Sequence, residues 1–515
     1  MSTSPDWDVI VIGAGIGGLV TASQLAAKGA KVLVLERYLI PGGSGGSFQR
    51  AGYTFDVGAS MIFGFGQKGH TNLLTRALAD VGEHCETIPD SAQLEYHLPG
   101  GLNVAVDRDY GCFVEQLSAL FPHEAKGIRA FYDTCWQVFR CLDAMPLLSL
   151  EDPAYLAKVF FRAPLACLGL ARWLPFNVGD VARQHIKDPQ LLQFIDMECF
   201  CWSVMPADLT PMINAGMVFS DRHAGGINYP KGGVGTIACK LVSGLERHGG
   251  QIRYKARVTR VLMDGNQAVG VELASGETIQ ARRVVSNATR WDTFSGEGSA
   301  KAPLVDAEHT PQREARWRKR YKASPSFLSL HLGIDAALVP SGFHCHHLLL
   351  EDWQAMEDEQ GVIFVSMPSL LDPELAPTGR HILHCFTPSA MEHWQGLGPE
   401  AYKAKKQADA DRLIQRLEML LLPGLSGGIH HREVGTPRSH RRFLGRHQGS
   451  YGPIPALRLP GLLPMPFNRT GVDGLYCVGD SCFPGQGLNA VAFSGFACAH
   501  RIGADLGLNP WALPQ

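Results

Sequence analysis

No stretch of this 515-residue chain approaches the roughly 18 uncharged apolar residues that a membrane-spanning helix needs. No signal peptide is expected either, because the first apolar run, Val9 to Ile12, passes straight into glycines. The net charge is only −2, which removes any general electrostatic case for nucleic acid. Thirteen cysteines form no CxxC pair and no regular spacing, so reduced thiols in a cytosol-like compartment are expected rather than a disulfide framework. There is no P-loop, no Ser-His-Asp signature and no paired-carboxylate spacing. A bound cofactor must therefore carry any chemistry, and no catalytic side chain is nominated. Histidines gather at His344, His346 and His347, near Glu351 and Asp352. Adjacent residues on a strand point to opposite faces, and no spacing matches a closed zinc site, so no metal is expected.

What is present begins with WDVIVIGAGIGGLVTASQLAAKGAKVLVLER, Trp7 to Arg37, which parses as one βαβ unit. The continuous apolar run suits a buried parallel strand. Gly13, Gly15 and Gly18 form G-x-G-x-x-G: a tight turn, a close backbone approach to a pyrophosphate, and close helix–strand packing. Glu36, 18 residues after Gly18, ends the second strand where it can accept hydrogen bonds from a ribose 2′-hydroxyl, which disfavours a 2′-phosphate. A second glycine cluster, Gly42 to Gly46 with Gly43 and Ser44, precedes FDVG at Phe55 to Gly58. A nicotinamide domain has no need of it, whereas the longer FAD needs more backbone donors. Near the other end, LYCVGDSCFPGQGLNAVAFSG runs from Leu475 to Gly495 as a short strand, a turn and a helix. By itself Gly479-Asp480 reads as a turn with an N-cap. Paired with the N-terminal unit, it reads as a parallel strand entering the same sheet, with Asp480 placed for a ribityl hydroxyl and the next helix start facing pyrophosphate or flavin ring.

These blocks, with INYPKGGVGTIACKL (Ile227 to Leu241), CHHLLLEDW (Cys345 to Trp353) and GTPRSHRRFLGRHQGSYGPIP (Gly435 to Pro455), resemble the FAD-dependent carotenoid desaturase and isomerase family. Within it they are most similar to the carotenoid (prolycopene) isomerase branch, from near residue 8 to the C-terminus. Leu488-Asn489 departs from the two aliphatic residues that branch commonly carries. The resemblance implies an α/β fold with a Rossmann-like, amine-oxidase-like FAD-binding domain and an interleaved α+β substrate domain. It implies that the backbone of Val258 holds the adenine end, although an ordinary core valine would look the same. Around the cofactor it places Arg37, Gly43, Ser44, Gly58, Gly479, Gly487, Leu488 and Asn489. The activity implied is conversion of poly-cis lycopene (prolycopene) to all-trans lycopene with reduced FAD. A carotenoid desaturase, a retinoid saturase and a non-catalytic lipid carrier are the alternatives on this scaffold.

The middle segment reads as three short strands, with turns at Asp264-Gly265 and Ser275-Gly276. The expected FAD domain is then residues 1–75, 225–300 and 455–515, and the substrate domain 76–224 and 301–454. A polyene offers almost no hydrogen-bonding handles, so its site should be a long apolar tunnel ending at the flavin ring. The stretch Tyr155 to Phe176 mixes aromatics and leucines with Lys158, Arg162 and Arg172. It reads either as a buried helix pair broken at Pro164 or as a surface element dipping into one leaflet. In a photosynthetic bacterium the resemblance implies a peripheral position on the cytoplasmic side of the plasma or thylakoid membrane. The basic run His440, Arg441, Arg442, Arg446 could meet FAD phosphates, anionic lipid headgroups or water, and reads first as solvated surface.

Overall fold

The computed structural model describes residues 6–58, 60–63, 65–66, 71–145, 148–294, 302–458 and 465–508. The strands Trp7–Ile12, Val32–Leu35, Gln251–Arg253, Thr278–Ser286 and Leu475–Cys477 form the parallel core of a seven-stranded sheet. Thr278–Ser286 is long enough to serve twice. Its first half pairs antiparallel with Gln267–Leu273, which pairs with Val258–Asp264. Its second half lies between Trp7–Ile12 and Leu475–Cys477. Opposite ends of the chain thus meet in one sheet.

The helix Ile16–Ala27 is buried along nearly its whole length because helices Gly235–Arg247 and Leu488–Asp505 pack against it. Glycine permits the second contact: a Cβ on Gly495 would sit 2.7 Å from Val20 Cβ and 2.8 Å from the Gly17 carbonyl. Thr21 Oγ1 donates to the Gly495 carbonyl at 3.2 Å and pins that approach. The close contact brings the starts of the two helices side by side.

A second seven-stranded sheet runs in the order 429–435, 326–335, 380–389, 362–366, 346–350, 92–98, 102–107. Strand alternation splits its residues between two faces. Leu328, Leu330, Leu332, Leu383 and Cys385 pack under the helix Pro399–Leu420. Phe327, Ser329, His331, His384 and Phe386 face the other way, into a cavity. Helices between Tyr110 and Ala224 form a separate apolar layer beside it.

Two expected boundaries move. The one at residue 75 falls inside the helix Leu73–Ala79, whose Ala77 and Leu78 are buried in the first core. The one at 301 also falls short: Trp317 packs on Trp291 and Met465, and Arg290 pairs with Glu314, so the chain to about 320 adheres to the first body. The stretch 155–176 is a pair of helices, Pro153–Arg162 and Pro164–Ala171, bent by 109°. It is not buried throughout: Phe161 is 81% exposed and Leu165 84%. No single described helix is long and apolar enough to cross a membrane.

Candidate functional site

Where the first strand ends, Gly13 turns the chain at φ +95° and Gly15 bridges to Gly42, whose N–H donates to the Ala14 carbonyl at 2.7 Å. The packing leaves no room for side chains. A Cβ on Gly18 would lie 2.6 Å from the Gly13 carbonyl oxygen, one on Gly17 3.1 Å from Gly479 Cα, and one on Gly58 2.6 Å from the Ser44 carbonyl oxygen. The helices Ile16–Ala27 and Leu488–Asp505 begin at Gly15 and Gly487, neither with a side-chain cap. Their first-turn N–H groups are therefore available to an anion, favoured further by the helix dipoles.

One cavity of about 900 Å³ runs from this cradle to the second sheet. Gly13, Gly15, Glu36, Arg37, Gly43, Ser44, Gly58, Val258, Gly479, Asp480, Gly487, Leu488 and Asn489 all line it. Gly18 does not: it lies one layer beneath, where its missing side chain lets helix and strand meet. Glu36 is aimed by two backbone amides, Ala14 N at 2.8 Å on Oε2 and Tyr38 N at 2.7 Å on Oε1, and so holds a fixed acceptor pair at the wall. Arg37 donates to the Arg442 carbonyl, and burial together with the Arg257 cation lowers its pKa. Leu488 packs over Gly45, and Asn489 Nδ2 donates to the Phe63 carbonyl at 2.7 Å.

Asp480 does not stand free. It pairs with Arg446, which also donates to the Ser450 carbonyl. This corrects the solvated-surface reading of the basic run. Arg446 and His440 turn inward and line the cavity, because the helix Pro437–Leu444 folds back over the edge of the second sheet. Arg442 alone of the four is exposed.

Several residues escaped the sequence reading. Asn287, after the strand Thr278–Ser286, reaches from the Gly13 carbonyl toward Gly479 and holds the two glycine turns together. At the far end, His331 and His384 stack at 4.3 Å, and His331 Nε2 donates to the Asp56 carbonyl at 2.9 Å. Burial lowers His331 to about 4, His440 to about 3, and His384 well below the usual range. All three are neutral near pH 7. Tyr451 spans the join, its hydroxyl 3.1 Å from His440 Nδ1 and hydrogen-bonded to Ser44. Deeper among Trp202, Met217 and Val218, Asp221 lines the apolar part, and burial with the nearby Asp143 carboxylate raises its pKa to about 7. The signal for the histidine wall was the alternation Phe327-Ser329-His331. Nothing local marked Asp221.

The five residues weighed as a metal cluster do not converge. His346 hydrogen-bonds Ser366, Glu351 pairs with Arg416, and Asp352 caps the Gln354 amide. His344 and His347 lie together on another face.

The chain matches the family described as flavin containing amine oxidoreductase over residues 16–503. It is 56% identical to the chloroplastic prolycopene isomerase of Arabidopsis thaliana, over 98% of this chain and 83% of that protein. It is 26% identical to a lycopene-forming phytoene desaturase of Paracoccus sp., over 96% and 97% of the two chains. An oxidoreductase from Methanosarcina mazei superposes with a TM-score of 0.63 at 20% identity, covering 95% of this chain and 99% of that one.

Proposed function

This chain belongs to the flavin-containing amine oxidoreductase family and, within it, to the prolycopene isomerases, and from that premise we propose that it converts poly-cis lycopene (prolycopene) to the all-trans isomer without net redox change. The observation that carries the reading is the identity to those isomerases over nearly the full length. FAD is the cofactor, and the residues fit it. Glu36 would offer fixed acceptors to ribose hydroxyls, the two uncapped helix starts and the Gly42–Gly46 turn would offer N–H groups to a pyrophosphate, and the Arg446–Asp480 pair would serve the ribityl chain. Bound in its reduced form, FAD would supply electron density able to lower the bond order of a conjugated double bond transiently, to be returned once the bond has rotated.

The rest falls to the chain's own groups. Phe327, Phe386, Trp202, Met217 and Val218 form the apolar wall against which a polyene buries its length. The neutral histidines leave that wall without a fixed charge, so it neither repels nor traps charge developing along the polyene. Asp221 is the one lining carboxyl in the apolar part whose pKa of about 7 lets it hold a proton on its carboxyl oxygen near neutrality.

Peripheral contact with a membrane, on the cytoplasmic side of the plasma or thylakoid membrane, belongs to the same proposal. The support is the exposed Phe161, Leu165 and Leu168, with the exposed Arg162 beside them able to reach headgroups. The hairpin packs on the helix Ala125–Asp143, whose Leu142 lines the cavity. Flotation with anionic liposomes tests this: Phe161→Glu with Leu165→Glu should leave the protein in the bottom fraction. Unchanged flotation of the double variant sinks the hairpin as the contact.

Incubating the protein with prolycopene and reduced FAD, then separating products by chromatography with mass detection, tests the reaction. The expected product is all-trans lycopene of unchanged mass. Loss of hydrogens, or dependence on a quinone acceptor, would assign a desaturase instead.

A further inference from the structure

On the second sheet, away from the cavity, Glu95 and His97 stand two residues apart on the strand Ala92–Leu98 and share a face. The neighbouring parallel strand His346–Leu350 sets His347 in register with Glu95. His347 Nδ1 lies 3.1 Å from His97 Nε2 and 3.2 Å from Glu95 Oε2, and the last two atoms are 4.0 Å apart.

The outer nitrogen of each ring is already committed. His347 Nε2 lies 3.0 Å from the His344 carbonyl, which can only accept. His97 Nδ1 lies 3.1 Å from Asn103 Oδ1, and that amide is oriented by its own Nδ2 donating to the Gly101 carbonyl. Both rings therefore carry their proton on the outside when neutral, and both turn a bare lone pair inward toward a carboxylate oxygen. His344 Nδ1 holds the other oxygen of Glu95 at 2.7 Å and so aims the first. Three lone pairs this close repel unless a cation sits between them. Imidazoles tied at the outer nitrogen by a carbonyl or amide are the arrangement that orients metal-ligating histidine.

We propose that Glu95, His97 and His347 bind a divalent transition cation of the zinc class, with three protein ligands and an outward position left to water. Bonds of about 2.0–2.1 Å in tetrahedral geometry separate ligand atoms by about 3.3 Å, close to the 3.1 and 3.2 Å seen from His347 Nδ1, while the 4.0 Å between His97 Nε2 and Glu95 Oε2 would have to shorten on binding. Two imidazoles with one carboxylate suit zinc, cobalt or nickel better than magnesium or calcium. His97 and Glu95 are partly exposed, at 32% and 28%, which gives an entry path, while His347 is buried. None of the three lines the flavin cavity. The hairpin 92–107 joins the rest of the sheet through three residue pairs, His347 with Glu95, Leu348 with Tyr96 and Leu349 with His97. A cation bridging the two strands would lock that join.

The test uses tag-free, FAD-loaded protein stripped with a chelator and dialysed. It is titrated with zinc by calorimetry and with cobalt by visible difference absorption, near neutral pH. One equivalent should bind with a Kd of about 1 µM or tighter, and zinc should raise the melting temperature. His97→Gln and Glu95→Gln, both at partly exposed positions, should each weaken binding at least about tenfold and abolish the zinc-dependent melting shift while flavin content is unchanged. No zinc binding in the wild type at micromolar concentrations overturns the proposal. Binding that survives both substitutions overturns it too, and moves the metal to one of the other clusters, Asp90–Cys345–His346 or Asp306–Glu308–His309.

Discussion

The glycine end of the cavity gathers its groups from stretches of backbone, Gly13–Gly18, Gly42–Gly46, Gly58 and Gly479, whereas the sheet end presents Phe327, His331, His384 and Phe386 as side chains on two neighbouring strands. At the first end, polarity comes from amides that every residue owns, and glycine is needed for the space it leaves. At the second, the chemistry is whatever the side chains bring. A single added methyl should therefore be ruinous at one end, while at the other even a large truncation should only retune.

Gly18→Ala is the sharpest way to break that contrast. Its Cβ would lie 2.6 Å from the Gly13 carbonyl oxygen, which is backbone and cannot swing away, so the turn itself must move. The expected result is apoprotein: purified protein colourless, with a lowered melting temperature from overpacking worth about 1–3 kcal/mol. Yellow protein with normal flavin content would mean that the cradle gives way more readily than its packing indicates. Phe386→Ala removes a ring stacked on Phe364 at 4.8 Å and packed edge-on against Phe327 at 5.0 Å. Flavin content should stay intact, while kcat/KM for the polyene falls about tenfold, or about 1.4 kcal/mol of binding realised at the transition state. Flavin lost in this variant would erase the distinction between the two ends.

The same contrast explains what could be read without coordinates. The glycine end is legible because its parts are local: strand, G-x-G-x-x-G, helix, strand and Glu36 all fall within Trp7 to Glu36, and Gly479-Asp480 repeats the logic once. The three-stranded meander was legible for the same reason, its turns marked by Asp264-Gly265 and Ser275-Gly276. The sheet end is assembled by distant pairing. Ser329 meets Gly435 and His331 meets His384, so no window along the chain shows the wall as a whole. Arg446 was misread because a basic run looks like surface until its helix is seen folding back onto Asp480. Asp221 was invisible because its pKa depends on burial, and burial is a property of the finished fold.

Asp221 is also where the contrast can be tested most finely, since it is a charge-bearing group placed in the apolar half. Its pKa rises from 3.8 in an exposed chain to about 7, because ionisation must happen away from water and beside Asp143. Between those values the folded protein holds a proton that the unfolded chain releases, so folding stability falls as pH rises from about 4 to about 7. The cost at pH 7 is on the order of 2–4 kcal/mol. Asn cannot ionise, so Asp221→Asn should gain that amount over wild type at pH 7 and almost nothing near pH 4, read as the difference between their denaturation midpoints across the range. If Asp221 also lends its proton to the polyene, the variant should in addition lose the fall in wild-type activity above about pH 7, because the titrating group is gone. A stability difference independent of pH would mean that the carboxyl is solvated and ionised in the folded state. The wall beside Trp202, Met217 and Val218 would then be wetter than its side chains imply.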